Sequence, residues 1–199
     1  ETEIVVIDDG STDATGTLLE TNDSLYSALI RLPSNQGKGA AVKAGLARAS
    51  GEYVLFQDAD LEYDPGDYAK LLMPVIRFDA DVVIGSRLLA PSFTRVHYFW
   101  HRRANQLLTL LFNVLYNTTF TDVYSCYLMY RRELVDPAAL RSTGWEQHAE
   151  ILCRVVTRGS SFYEVPVSYN GRTYGEGKKI RARHFWAVLA MIVGSRLRR

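Results

Sequence analysis

Short apolar segments recur along the first 90 residues of the chain, and segments with helical spacing separate them. The apolar segments are rich in β-branched and aliphatic residues and end at turn-forming residues, which predicts buried strands. They cover residues 4–7, 28–32, 53–57 and 82–85. Helices are predicted in the intervals: a short one that Ser11-Thr12-Asp13 caps and that runs through about Glu20, one over residues 40–49 and one after Asp64-Pro65. Because strands and helices alternate, we expect parallel pairing and an α/β sandwich.

The second half of the chain combines long helices with two further strands. Residues 95–117 begin with basic and aromatic positions and continue with leucines, which predicts one long helix. The other predicted elements are a strand at 127–130, a helix at 145–158, a strand at 162–167, a Gly- and Lys-rich loop at 170–180 and a helix at 181–197. No repeat interrupts this order, so we expect a single domain over residues 1–199.

The composition is that of an ordinary globular protein. Of the 199 residues, 47% are apolar and 23% are charged, which excludes disorder as the main state. No apolar run reaches about 18 residues, so no segment is expected to span a bilayer, and no signal peptide is recognisable. Cys126 and Cys153 allow one disulfide at most, and a reduced cytosolic pair is the simpler expectation.

The net charge of +1 argues against a general nucleic-acid binder, but it conceals a gradient along the chain. Residues 1–70 carry a formal charge of −8, and residues 71–199 carry one of +9. An acidic half is suited to binding a cation. A basic half is suited to phosphates or to an anionic membrane surface.

Acidic residues follow two of the predicted strands. Asp8 and Asp9 follow the first strand, and Asp58 and Asp60 follow the third. Ligands of open α/β sheets bind beyond the carboxyl ends of parallel strands, so this position favours a site for Mg²⁺ or Mn²⁺, which prefer oxygen ligands. A second Asp-x-Asp, Asp79-Ala80-Asp81, precedes its strand and therefore faces the opposite edge. The alternative for Asp58 and Asp60 is a solvated turn before a helix.

Three other motifs are less specific on their own. Asn35-Gln36-Gly37-Lys38-Gly39 suits either a phosphate cradle at a helix start or a tight turn. Asp8-Asp9-Gly10-Ser11 suits helix capping as well as ligand binding. His97 and His101 have the spacing of a metal pair on a helix, but no third ligand follows, and their aromatic and basic neighbours favour an interfacial surface.

Taken in order, these motifs form a pattern that covers nearly the whole chain. The first group is Ile4-Val5-Val6-Ile7-Asp8-Asp9-Gly10-Ser11-Thr12-Asp13, Asn35-x-Gly37-x-Gly39-x-Ala41 and Asp58-Ala59-Asp60-Leu61-Glu62. The second group is Gly85-Ser86-Arg87, Thr121-Asp122-Val123-x-Ser125, Glu164-Val165-Pro166-Val167, Arg172 and Gly175-Glu176-Gly177-Lys178-Lys179. The first group closely resembles the family 2 glycosyltransferases, which are inverting enzymes. The second resembles their polyprenyl-phosphate branch, of which dolichol-phosphate mannose synthase is a member.

This resemblance implies a GT-A (Rossmann-like) fold, a three-layer α/β/α sandwich around a mostly parallel sheet. The family's first strand would lie upstream of residue 1, so we expect the chain to be incomplete at its N-terminus. Two departures from the family concern the site. Ser125-Cys126-Tyr127-Leu128 stands where Ser-Gly-Phe-Arg/Lys is usual, and Glu62 stands where close relatives often carry Gln.

The resemblance also implies roles for individual residues. Asp58, Asp60 and Glu62 would hold Mg²⁺ or Mn²⁺, which would neutralise the departing diphosphate. The candidate catalytic residues are Asp60, Arg87 and Asp122, with Asp122 as a base or as a residue that positions the acceptor. A capped turn is the alternative for Asp122. The UDP- or GDP-linked donor would contact Ile7, Asp9, Asp58, Ala59, Asp60, Arg87, Arg172 and Lys178.

The expected reaction moves a sugar from the nucleotide to polyprenyl (dolichyl or undecaprenyl) phosphate. A phosphate monoester is largely dianionic near neutral pH, so the lack of an obvious catalytic histidine fits this acceptor. A saccharide or other hydroxyl acceptor is one alternative, and a non-catalytic nucleotide-sugar or membrane-binding module is another.

Two predicted helices suit a lipid headgroup layer, at residues 95–117 and 181–198, because each combines basic, aromatic and aliphatic positions. Simple packing on the sheet is the alternative. We therefore expect a peripheral protein on the cytoplasmic face of the membrane, with no nucleic-acid partner.

Overall fold

The computed structural model describes residues 1–90, 95–96, 98–172 and 182–198. Six strands and six α-helices lie within these ranges. The strands are β1 (Val5–Asp8), β2 (Ala28–Arg31), β3 (Tyr53–Leu55), β4 (Val82–Ser86), β5 (Leu128–Arg131) and β6 (Phe162–Pro166). The helices are α1 (Thr15–Thr21), α2 (Lys38–Arg48), α3 (Tyr68–Phe78), α4 (Phe99–Tyr116), α5 (Gln147–Arg158) and α6 (Ala182–Leu197).

The strands form two sheets. β1 and β2 pair in parallel, and the other four strands lie in the order β3-β5-β4-β6. In the larger sheet β4 and β6 are parallel, whereas β5 runs antiparallel to both β3 and β4. β3, β4 and β6 therefore share one direction, and the loops that follow them leave from the same edge of the sheet. This confirms the predicted α/β class, with β5 as the antiparallel member of an otherwise parallel sheet.

Helices cover both faces of the larger sheet, because successive side chains of a strand point to opposite faces. Val82 and Ile84 of β4 belong to a buried cluster with residues of α4, α5 and α6. Val83, between them, belongs to a second cluster with Leu71 of α3. The predicted three-layer α/β/α arrangement follows from this alternation.

The predicted strands and helices are all present, with their ends shifted by local chemistry. The predicted loop at 170–180 lies mostly outside the described residues. α1 begins at Thr15, soon after the predicted capping residues, and the Asp13 carboxylate accepts a hydrogen bond from the Thr15 N–H at 3.0 Å. α2 begins at Lys38, two residues earlier than predicted, after Gly37 with a φ of 93°. α4 begins at Phe99 rather than at residue 95.

Two further expectations concern the membrane and the cysteines. Among the described residues, no helix combines the length and the hydropathy that crossing a bilayer requires. Cys126 and Cys153 are both free thiols. The expected reduced state of the pair agrees with this.

Candidate functional site

The acidic turn (residues 58–62) follows β3 at the edge where the parallel strands end. Asp58, Asp60 and Glu62 alternate along it, and all three line one cleft. Leu61 has a left-handed backbone with a φ of 58° and is 89% exposed. That conformation costs a residue with a Cβ about 1–2 kcal/mol. It turns Leu61 outward, while the carboxylates on either side line the cleft.

The Lys38 loop (residues 35–39) is held from two sides. Asp9, just after β1, accepts hydrogen bonds from the backbone N–H groups of residues 36 and 37, at 2.8 and 3.0 Å. The Gly39 N–H donates to the Thr143 carbonyl oxygen at 2.8 Å. A side chain would be strained at Gly37, which has a positive φ, and would not fit at Gly39, where a Cβ would lie 2.7 Å from the Thr143 backbone. The two glycines thus form a tight turn packed on another backbone segment.

Lys38 extends from this loop to the first carboxylate of the acidic turn. Its Nζ lies 2.7 and 2.6 Å from the two carboxylate oxygens of Asp58, and 5.7 Å from the ring centroid of Trp145. Burial opposes the charge of Lys38, but contacts with Cys126 and Asp58 outweigh it and raise the Lys38 pKa. Lys38 is therefore a permanent positive charge inside the cleft.

Arg172, which follows β6, binds the other two carboxylates of the acidic turn. Its Nη2 donates to Asp60 Oδ2 at 2.7 Å, and its Nε and backbone N–H donate to Glu62 Oε1 at 3.0 and 2.9 Å. The Tyr169 hydroxyl donates to Glu62 Oε2 at 2.9 Å, and Tyr169 also forms an isolated β-bridge with Tyr63. Burial opposes ionisation of Glu62, but the hydrogen bonds from Arg172 prevail and lower its pKa.

Arg87, which follows β4, is held in the cleft by a buried carboxylate. Its Nε and Nη2 donate to the two oxygens of Asp122 at 2.7 and 2.8 Å. Asn105 of α4 donates to Asp122 Oδ1 at 2.8 Å. Burial opposes ionisation of Asp122, but the Arg87 charge lowers its pKa. Arg87 lines the cleft, whereas Asp122 is fully buried and is not among the described residues of its wall.

The start of α5 forms another wall, to which Trp145, Gln147 and His148 contribute. Gln147 is 2% exposed, and its Nε2 has no hydrogen-bond partner within the described part of the chain. His148 Nε2 lies 3.2 Å from the Val123 carbonyl oxygen. Burial lowers the His148 pKa to about 4, so its ring is neutral at pH 7. Burial also raises the pKa of the nearby Cys126 thiol to about 11, which leaves it protonated.

Acidic and basic side chains meet across a narrow cleft. Its volume is about 70 Å³, well below the 300–1,000 Å³ of typical small-molecule sites. Its described lining residues are Lys38, Asp58, Asp60, Glu62, Tyr63, Arg87, Tyr124, Cys126, Trp145, Gln147, His148, Tyr169 and Arg172. Charged groups from four separate loops therefore surround one space.

Five residues predicted for the site line this cleft, namely Asp58, Asp60, Glu62, Arg87 and Arg172. Asp9 and Asp122 instead hold groups that border it, the Lys38 loop and Arg87. Their predicted roles toward nucleoside and acceptor stay predictions.

The other predicted residues lie elsewhere. Ile7 packs beside Gly45 of α2, where an added Cβ would lie 2.7 Å from the Ile7 side chain, and Ala59 is exposed. Lys178, with the rest of its Gly- and Lys-rich motif, lies outside the described residues, as does His97.

Several residues that line the cleft are not among the predicted site residues, and Lys38, His148 and Tyr169 are three of them. The signal for Lys38 was present in Asn35-Gln36-Gly37-Lys38-Gly39, a motif that suits either a phosphate cradle or a tight turn. Tyr169 gave no such signal, since its role depends on the bridge to Tyr63, which lies 106 positions earlier in the chain.

The donor chemistry of the acidic turn fits a hard divalent cation, since such ions take carboxylate oxygens. Burial raises the Asp60 pKa, and the charges of Glu62 and Asp58 raise it further. A cation would relieve this repulsion. Within the described ranges, however, no three His, Cys, Asp or Glu side chains are already arranged as a metal site. Lys38 and Arg172 hold the carboxylates in ion pairs instead.

The fold defines a protein of the GT-A class. Glucosyl-3-phosphoglycerate synthase from Mycobacterium tuberculosis, solved in complex with Mn²⁺, UDP and phosphoglyceric acid, superimposes with a TM-score of 0.69 at 21% identity. That match covers 98% of this chain and 67% of the other. The same enzyme with Mg²⁺ and UDP gives a TM-score of 0.68 at 20% identity, over 96% of this chain and 67% of the other.

The chain belongs to Glycosyl transferase family 2, whose profile matches residues 1–137. It is 30% identical over 188 residues to polyprenol monophosphomannose synthase of Mycolicibacterium smegmatis, covering 89% of this chain and 70% of the relative. It is 31% identical over 172 residues to the low-salt glycan biosynthesis hexosyltransferase Agl6 of Haloferax volcanii. That match covers 84% of this chain but spans only 40% of the length of Agl6.

Proposed function

We propose that the chain transfers a sugar, with inversion, from a UDP- or GDP-linked donor to polyprenyl phosphate in a reaction that depends on Mg²⁺ or Mn²⁺. One observation carries the proposal: three carboxylates and three cationic side chains from separate loops line a single cleft. That combination suits a pyrophosphate and a divalent cation together. The Mn²⁺- and Mg²⁺-containing UDP complexes of the M. tuberculosis synthase support the same reading.

The proposed division of labour follows from the contacts. Asp58, Asp60 and Glu62 would hold the cation, which supplies positive charge to the departing diphosphate. Arg87 would present its guanidinium to the phosphate oxygens, with Asp122 fixing its orientation from behind. Because Asp122 is buried and engaged by Arg87, we propose that it acts as a positioning residue rather than as a base.

Polyprenyl phosphate is favoured as the acceptor by the protonation chemistry of the cleft. A sugar hydroxyl needs a base, whereas a phosphate monoester already carries the attacking negative charge near neutral pH. His148 has a pKa of about 4 and is a poor base for a hydroxyl. The carboxylates that line the cleft are bound to Lys38 and Arg172. The relationship to polyprenol monophosphomannose synthase supports the same acceptor class.

A lipid acceptor requires a surface that meets the membrane, and we propose the outer face of α4. This outer face consists of Phe99, Trp100, Leu107, Leu110 and Val114, which are 55–79% exposed. The neighbouring Arg102 and Arg103 are exposed as well, which suits anionic headgroups. Asn105, on the same helix, contacts Asp122 and so links this surface to the cleft. The proposed location is the cytoplasmic face of the membrane, with the protein peripheral.

The acceptor is tested with radiolabelled UDP- and GDP-sugars, dolichyl or undecaprenyl phosphate, and Mg²⁺ or Mn²⁺. We expect label in the organic phase only when nucleotide sugar, lipid phosphate and cation are all present, and its loss on mild acid treatment. Label in a water-soluble glycan would instead favour a hydroxyl acceptor. A cation-dependent thermal shift with nucleotide sugar but no transfer to any acceptor would favour a binding module.

The membrane surface is tested by co-sedimentation with vesicles that contain anionic lipid. Trp100→Ser together with Leu110→Ser should reduce the bound fraction severalfold, since two exposed apolar side chains leave the interface. Ile76→Ser on α3 is the matched control, because Ile76 is also exposed and apolar but lies on a different helix. Equal losses for both variants, or no binding by the parent chain at low salt, would contradict the assignment to α4.

A further inference from the structure

Arg172 makes three hydrogen bonds to the carboxylates proposed to hold the cation. One goes to Asp60 Oδ2 at 2.7 Å, and two converge on Glu62 Oε1 from Nε and the backbone N–H. A carboxylate oxygen has about two lone-pair sites, so Glu62 Oε1 is saturated by Arg172 alone. Tyr169 takes a site on the other oxygen, Oε2, at 2.9 Å.

The guanidinium therefore stands among the oxygens that a divalent cation would use. Mg²⁺ needs its oxygen ligands at about 2.0–2.1 Å. An ion bound to Asp60 Oδ2 would lie within a few ångströms of Nη2, and two positive charges so close together repel strongly. The narrow cleft, of about 70 Å³, leaves little room for both. Cation binding and the present position of Arg172 thus compete for the same oxygens.

Arg172 is also suited to separate from Asp60 and Glu62. Its side chain is 34% exposed, and its guanidinium is a fork that matches phosphate oxygens as well as carboxylates. Arg87 differs, because it is paired on a fully buried carboxylate and its side chain is half as exposed, at 17%. Of the two arginines, only Arg172 touches Asp60 and Glu62 among the described contacts.

We infer that Arg172 is an internal counter-ion that competes with the divalent cation for Asp60 and Glu62 and moves to the diphosphate when the two ligands bind. The inference rests on the proposed function, because it takes Asp60 and Glu62 as cation ligands. No covalent bond changes in this exchange. By thermodynamic linkage, a diphosphate that draws Arg172 away strengthens cation binding, and the cation strengthens diphosphate binding to the same degree.

The test measures Mn²⁺ affinity without nucleotide, by electron paramagnetic resonance of free Mn²⁺ or by calorimetry. Arg172→Met removes the competing charge, so the dissociation constant for Mn²⁺ should fall, by a factor within the about 5- to 150-fold range of coupled sites. Arg48→Met is the matched control, because Arg48 pairs with Glu3 on the surface and does not line the cleft. Its Mn²⁺ affinity should equal that of the parent chain.

A second measurement adds UDP or GDP. In the parent chain the nucleotide should raise Mn²⁺ affinity by a larger factor than in Arg172→Met, where no counter-ion is left to withdraw. Arg172→Lys is the companion variant if the Met variant does not fold. Lysine keeps the charge but has no planar fork, so we expect a gain in Mn²⁺ affinity smaller than for Met.

The outcomes separate the inference from the proposed function. Equal Mn²⁺ affinities for the parent chain and both Arg172 variants would overturn the competition, while leaving a cation site intact. Weaker Mn²⁺ binding in the variants would overturn it as well, because Arg172 would then support the cation. No Mn²⁺ binding by any form, with or without nucleotide, would overturn both the inference and the proposed metal dependence.

Discussion

The chain contains two Asp-x-Asp sequences, and the structure uses them in opposite ways. Asp58 and Asp60 follow β3 and line the cleft. Asp79 and Asp81 precede β4 and are bound by one arginine, Arg131, whose Nε lies 3.0 Å from Asp81 Oδ1. The other carboxylate oxygen of Asp81, Oδ2, accepts hydrogen bonds from the backbone N–H groups of residues 160 and 161, at 2.7 and 3.1 Å. The second pair therefore joins strand ends and lines neither of the cavities described in the structure.

The difference shows that position, rather than spacing, decides what an acidic pair does. At the amino end of β4, Asp81 holds the backbone that leads into β6. At the carboxyl edge, Lys38 and Arg172 reach Asp58 and Asp60 from 20 positions before and 112 positions after along the chain. Lys38 lies at the start of α2 and Arg172 follows β6, so both can separate from the carboxylates without unravelling a strand, whereas Arg131 belongs to β5. We therefore expect only the first pair to exchange its partners for a ligand.

The sharpest test replaces one carboxylate of each pair. Asp60→Asn should lower sugar transfer about 10³-fold or more, because a metal ion's stabilisation of the departing charge is worth several kcal/mol. Asp79→Asn is the matched control and should leave transfer unchanged, since Asp79 is exposed and pairs with Arg131. The measurement is kcat for transfer from the nucleotide sugar. Similar losses of sugar transfer in both variants would contradict the distinction between the two edges of the sheet.

The next largest effect is on folding at the cleft edge. Asp122→Ala should lower the free energy of unfolding by about 3–5 kcal/mol, because it leaves the Arg87 guanidinium without its buried partner. Chemical denaturation measures it. The pKa of Asp122 is depressed in the folded state, so the pair's contribution is complete above pH 4 and is lost as pH falls through the lower folded pKa. A loss below about 1 kcal/mol would show that the pair is not needed for folding.

The distal network, formed by Arg131 with Glu52, Asp79 and Asp81, should respond more weakly to substitution. Arg131→Met should lower the free energy of unfolding by less than Asp122→Ala does, since its partners Glu52 and Asp79 are mostly exposed and solvent screens them. Transfer per folded molecule should not change. Denaturation and kcat measured on the same preparation separate the two effects. A drop in kcat without a drop in stability would connect the distal network to the cleft.

A pH dependence at the cleft provides a further test. His148 has a folded pKa of about 4 against an unfolded value near 6.5, so only the unfolded chain takes up a proton between these values. The free energy of unfolding should therefore fall as pH drops from 6.5 to 4 and stay level above 6.5. His148→Gln should flatten that slope, which denaturation at pH 7.5, 6.5, 5.5 and 4.5 will show. An unchanged slope would assign the pH dependence to other groups.

Much of the fold follows from periodicity, because alternating strands and helices leave few arrangements. The strand ends that carry Asp58, Asp60 and Arg87 were predictable for that reason, since an open α/β sheet collects its ligands at one edge. Arg172 came instead from the resemblance to a family, as no spacing links it to Asp60.

The ion pairs of the cleft were not predictable from spacing. The Lys38–Asp58 contact depends on the Lys38 loop resting on Asp9 and Thr143, which lie at distant places in the chain. The burial of Asp122 depends on α4 covering it through Asn105. Contacts among three segments that are distant in the chain cannot be predicted from local sequence. A motif therefore indicates which residues reach the site, but not which partners bind them there.

The close backbone contact between Gly39 and Thr143 limits which substitutions the cleft can accept. The backbones of the two segments are in contact there and leave no room for a methyl group, so the backbone position of Lys38, between the two glycines, is fixed. Libraries that seek new sugar preferences should leave residues 37–39 and 142–143 untouched. They should instead vary Leu61, which faces outward, and Trp145, which lines the cleft. A change of side-chain shape at these positions does not shift the backbone that carries Lys38.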